Sequence, residues 1–134
     1  MELTHFNDFL SVAAQQTEPQ RLLFVFATAA LPAEHTEEEA RRFADGQGGT
    51  LSPVMYVDKA QTEVADFDSL VEESRHTGRD WQIVFVGALD GQRGQVLSSE
   101  AAQPALELMV KHIENGQLER FLAFDQRGLP VRFV

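Results

Sequence analysis

The chain has 134 residues, 43% of them apolar and 24% charged, which is the length of one domain and a composition that buries a core without disulfide or metal staples. Its 21 acidic residues against 11 lysines and arginines give a formal charge of −10, which argues against a surface built to neutralise nucleic acid or anionic lipid. It contains no cysteine, which removes disulfides, thiol nucleophiles, iron–sulfur ligation and thiolate zinc sites.

Residues 4–16 read as an amphipathic helix: Thr4 is placed to cap it, and Phe6, Phe9, Leu10 and Ala13 recur at helical spacing. The segment from Leu22 to Leu31 is apolar on both faces, with Phe24, Val25 and Phe26 at its centre, which predicts a strand buried on both sides. Thr36-Glu37-Glu38-Glu39 has capping-box spacing, and three acids suit the positive end of a helix whose apolar stripe is Ala40, Phe43 and Ala44. Gly46-Gln47-Gly48-Gly49 ends that helix, and a second strand follows from Leu51 to Val57, with Pro53 marking a break or a sheet edge.

Asp66 caps a third helix with Phe67, Leu70, Val71 and Ser74 on its buried side and Gly78 closing it. Trp81 to Leu89 is the next strand, and Asp90-Gly91-Gln92-Arg93-Gly94 is a turn. A fourth helix starts between Ser98 and Pro104, presents Ala105, Leu108, Met109, His112 and Ile113 to the core, and stops at Asn115-Gly116. Phe121–Phe124 and Val131–Val134 read as two short strands around Asp125-Gln126-Arg127-Gly128, a hairpin. The order α-β-α-β-α-β-α-β-β predicts a single α/β domain over residues 1–134. Its sheet is expected to have about five strands, mixed or largely parallel, covered by helices and edged by a C-terminal antiparallel hairpin.

Met1-Glu2-Leu3 supplies no basic leader, and the longest apolar run, residues 22–31, is half the ~20 residues a membrane helix needs. The expectation is a cytoplasmic protein that binds neither membrane nor nucleic acid. Nucleophilic catalysis finds no support, because the serines at 11, 52, 69, 74, 98 and 99 fall at caps or on helix faces and no nucleophile-elbow pattern occurs. The glycine cluster at 46–49 follows a helix and precedes a strand, the reverse of a phosphate loop. Of the four histidines, His76 follows Glu73 at metal-ligand spacing but without the second motif a di-iron bundle requires, and His112 falls within an apolar stripe. Neither a metal nor a cofactor is expected.

Two polar groupings remain. If the first three strands run parallel, His35 with Glu34, then Asp58 and Lys59, then Asp90 and Arg93 follow their carboxyl ends, where open α/β sheets bind small polar ligands. Separately, residues 58–73 carry a net −5, with Asp66, Asp68, Glu72 and Glu73 on one predicted helix. The last fifteen residues carry a net +2. An acidic face of this kind keeps the chain soluble and suits a basic protein partner.

Pro19-Gln20-Arg21-Leu22-Leu23-Phe24-Val25-Phe26-Ala27, Gly46–Gly49, Val57-Asp58-Lys59, Leu70-Val71-Glu72-Glu73-Ser74-Arg75, Asp80-Trp81-Gln82-Ile83-Val84-Phe85-Val86 and Pro130-Val131-Arg132-Phe133 resemble a family of small uncharacterised bacterial proteins. Some of its members carry the label "ribonucleotide reductase subunit alpha". The label implies a cysteine thiyl radical, a redox-active cysteine pair and a much longer barrel, none of which a cysteine-free chain of this length provides. The resemblance therefore implies a family signature, and at most an association with such an enzyme. The functional expectation is a non-catalytic, acidic protein, monomeric or weakly dimeric, acting through protein–protein contacts. The alternative is a small-molecule site or enzyme using His35, Asp58, Lys59, Asp90 and Arg93.

Overall fold

A computed structural model describes residues 3–30, 36–44 and 50–132. Near its start, the carboxylate of Asp8 accepts hydrogen bonds from the Thr4 N–H at 2.9 Å, the Thr4 hydroxyl at 2.8 Å and the His5 N–H at 3.1 Å. The His5 ring accepts from the Asn7 N–H through Nδ1 at 3.0 Å. These reciprocal bonds make His5, one residue beyond the expected Thr4, the cap of α1 (Phe6–Ala14). With Nδ1 accepting, the ring proton sits on Nε2, which donates to the Arg127 carbonyl at 3.0 Å. Phe6 N–H donates to the Gly128 carbonyl at 2.8 Å, so the start of α1 is latched onto a turn near the other end of the chain.

Gly128 holds φ at +82°, and a Cβ there would lie 2.7 Å from His5 Cε1 and closer still to Nε2. Gly128→Ala is expected to lower stability by about 2–3 kcal/mol, combining left-handed strain with loss of the His5 cap. Urea denaturation checks this. A loss below about 0.5 kcal/mol, within the range of an ordinary surface substitution, would show that the latch carries no load.

The sheet has β1 (Gln20–Ala30) at its centre, β2 (Thr50–Ala60) on one side and β3 (Ile83–Asp90) on the other, with β4 (Leu122–Asp125) beyond β3. Every neighbouring pair is antiparallel. The expected five-stranded mixed or largely parallel sheet is thus corrected, among the described residues, to four antiparallel strands in the order β2-β1-β3-β4. Burial of both faces suggested parallel strands, yet helices cover both sides of an antiparallel sheet here and give its strands the same unbroken apolar character. The C-terminal strand is corrected too. Pro130 forms an isolated bridge with Phe124, and Val131 N–H donates to Ala123 O at 2.9 Å, but residues 131–132 form no strand and 133–134 lie outside the described residues.

Alternation along β1 divides the core. Leu22, Phe24 and Phe26 face α1 and α3 (Phe67–Arg75), together with Phe6, Phe67, Val84 and Val86. Leu23, Val25 and Ala27 face α4 (Ser99–Glu114), together with Phe85, Leu106, Met109 and Ile113. Phasing α4 from Pro104 selects Leu108, which is 55% exposed. The helix starts at Ser99, within the expected range, and its buried stripe is Ala102, Leu106, Met109 and Ile113, of which Met109 and Ile113 match the expectation. Thr36 caps α2 (Glu37–Ala44) as expected, its hydroxyl accepting from Glu39 N–H at 3.1 Å. Asp66 caps α3 through Ser69 N–H at 2.8 Å, which holds the Asp66 carboxyl below its ordinary value. The glycine cluster at 46–49 lies outside the described residues. Among the described residues, no helix is long and apolar enough to cross a membrane.

Candidate functional site

The antiparallel sheet rearranges the polar residues that a parallel one would have gathered. Because β2 and β3 both run against β1, their carboxyl ends meet the start of β1: Ala60 lies opposite Arg21, and Asp90 opposite Gln20. Asp58, Lys59 and Asp90 therefore share one end of the sheet. His35 would follow the far end of β1 and lies outside the described residues.

The pleat then separates them. Asp58 pairs with Leu23 and lies on the α4 face, whereas Lys59 pairs with Leu22 and lies on the α3 face. Asp90 pairs with Gln20, also on the α3 side, and accepts from the Gln20 amide at 2.7 Å. Arg93 is exposed on the following turn, with φ at +52°. Asp58 is thus set on the opposite face from Lys59 and Asp90, and each of the three bonds to a different partner within the fold.

Asp58 is engaged within the fold. Its carboxylate accepts from Arg21 Nε at 2.6 Å, Ser99 Oγ at 2.9 Å and Gln103 Nε2 at 3.2 Å, while Arg21 also donates to the Leu97 carbonyl at 3.2 Å. The Arg21 and Asp58 side chains are 13% and 6% exposed. Burial pushes the Asp58 carboxyl upward, but the Ser99 hydrogen bond and the adjoining Arg21 guanidinium outweigh it and leave the group below its ordinary value. The cluster fastens β1, β2 and the first turns of α4 together.

The acidic helix α3 has a different character. Asp66 is its cap, Glu72 meets Arg75 and His76 each at 3.4 Å, and Glu73 meets Lys59 at 2.7 Å. Asp68 has no hydrogen-bond or ion-pair partner among the described residues and is exposed. On one side of the helix lies a broad open depression of about 740 Å³, lined by Asp66, Asp68, Glu72, Glu73, Arg75 and His76 with Gln126. On the other side, between α3 and β2, is a pocket of about 160 Å³ walled by Phe26, Met55, Val57, Leu70 and Thr77. Lys59 and Glu73 also line it, and Glu73 borders both cavities. Ser74 braces the helix from beneath by accepting from the buried Trp81 indole N–H at 2.9 Å and donating to Val71 O at 2.6 Å.

The pocket escapes a reading of local sequence because its walls come from three elements. Its sequence trace is the period-two set Met55, Val57 and Lys59 beside Pro53, the residue that marks an edge strand. Among the described residues, no group of three or more histidine, aspartate or glutamate side chains could hold a metal ion. No family model matches the chain, and neither does any curated protein or solved structure.

Proposed function

We propose that the protein is a non-catalytic binding module that acts through protein–protein contacts and docks a basic partner on α3 and the groove beside it. The observation that carries this reading is the pairing of two unlike cavities on one helix, an acidic depression and an apolar pocket with Glu73 on their shared border. An apolar side chain flanked by lysine or arginine satisfies both: the pocket desolvates the first, and the carboxylates attract the second. The formal charge of −10 works in the same direction by steering a cationic partner toward the surface.

Panning the immobilised protein against a random nonapeptide display library tests the proposal. Enriched peptides should carry basic residues around a single apolar one. The Asp68→Lys/Glu72→Lys variant alters only exposed side chains and should weaken those peptides about tenfold, an effect that shrinks as salt rises. No enrichment over a blank surface, or enriched peptides indifferent to the charge reversal, would overturn the reading.

A further inference from the structure

We infer that the partner segment is taken up as an added strand along the outer edge of β2, with one aliphatic side chain in the pocket beneath α3. This rests on the binding reading above and specifies the partner's conformation.

β2 is an edge strand that pairs only with β1 among the described residues. Its two ends are blunted. Towards its start, Pro53 has no N–H to offer, the register slips at Val54, and the Val54 carbonyl is taken by the Arg79 guanidinium at 2.7 Å. At its finish, the Ala60 N–H is taken by Glu63 Oε1 at 2.8 Å. Between these stops, among the described residues, Met55–Lys59 is bonded to β1 on one side only, and its outer row of backbone donors and acceptors matches an extended segment.

The pleat of that stretch places the pocket where an added strand needs it. Met55, Val57 and Lys59 lie opposite Phe26, Phe24 and Leu22, on the α3 face. Side chains of a strand paired with them alternate in the same way, so every second one projects on the α3 side. The pocket of about 160 Å³ is sized for one aliphatic side chain. Residues two places before and after that anchor also project on this side, beside the exposed Glu73 carboxylate, which is bonded to Lys59 through Oε1 and keeps acceptor positions for a lysine or arginine neighbour. A second copy of this chain fits poorly, because edge-to-edge pairing of two β2 strands brings two acidic α3 helices together.

The experiment uses the whole protein and the tightest nonapeptide from the display selection. Two derivatives carry backbone N-methyl groups on alternate sets of residues. In an added strand one set of N–H groups bonds to β2 and the other faces solvent. One derivative should therefore lose affinity about tenfold for each hydrogen bond removed, and the other should bind like the parent. Bound peptide should also slow amide exchange at alternate residues within Met55–Lys59. Equal affinity of the two derivatives, or protection elsewhere than this stretch, overturns strand addition while leaving the binding reading intact. Failure to select any peptide removes the binding reading itself. Protection of Met55–Lys59 that grows with protein concentration alone would make a second copy the occupant and overturn the inference.

Discussion

Replacing Phe6 with alanine is expected to cost about 3–5 kcal/mol, the range for deleting a buried aromatic ring. Phe6 is fully buried and stands among the rings of Phe67, Phe124, Phe9 and Phe24, with centroid separations of 4.9, 5.3, 5.8 and 6.0 Å. Those neighbours belong to α3, β4, α1 and β1, so a single truncation opens a cavity where four elements meet. The walls are rings held by separate elements and cannot close over the gap without moving backbone, which sets the cost toward the upper part of the range. A domain of this size has roughly 5–15 kcal/mol of stability in total, so the variant should melt at least ten degrees lower. Thermal and urea unfolding measure the effect, and a loss below about 1.5 kcal/mol would show that the ring cluster repacks freely. Phe67 seats the first turn of α3, so peptide affinity in the groove should fall along with stability.

Local signals in the sequence carried much of the secondary structure. Phe6, Phe9 and Ala13 are buried at their helical spacing, Asp66 and Thr36 cap the helices they precede, and Leu22–Ala27 is buried on both faces. Each of these depends on residues within a few positions of one another. Strand direction does not. It depends on whether residues 31–49, which include a helix of only eight residues, return the chain beside β1 or carry it across the sheet. Side-chain periodicity is silent on that choice. The direction of β1 relative to β2 and β3 then decides which polar residues meet. Asp58 and Lys59 are adjacent in sequence yet serve opposite faces, whereas Arg21 and Asp58, 37 positions apart, form the buried pair. Arg21 sits at the head of an apolar run where nothing local distinguishes it from a surface arginine. Of the acidic group on α3, the sequence shows the charges but not that Glu73 is tied to Lys59 or that the helix borders a pocket.

Asp58→Ala should destabilise the protein by about 3–5 kcal/mol, because it leaves the Arg21 guanidinium buried without its counter-charge. A carboxylate offers about four acceptor positions, and three of those on Asp58 are already filled by Arg21, Ser99 and Gln103. This leaves the group fastening the fold rather than presenting itself to a ligand. The double replacement Arg21→Met/Asp58→Leu should recover most of the loss, since removing both charges also removes their desolvation cost. If the single and double variants are equally unstable, packing rather than the ion pair explains the effect. The pH dependence supplies a separate check. The folded carboxyl lies below its ordinary value of 3.8, so its ionised form contributes stability that is complete above the unfolded value. That contribution fades as pH falls through the folded value. Asp58→Asn keeps the shape of the side chain but abolishes this titration. Its deficit relative to the parent should be largest at neutral pH and should narrow below about pH 4 as the parent's own carboxylate takes up a proton. A deficit that stayed constant from pH 7 to pH 3 would mean that the charge of Asp58 does not hold β1, β2 and α4 together.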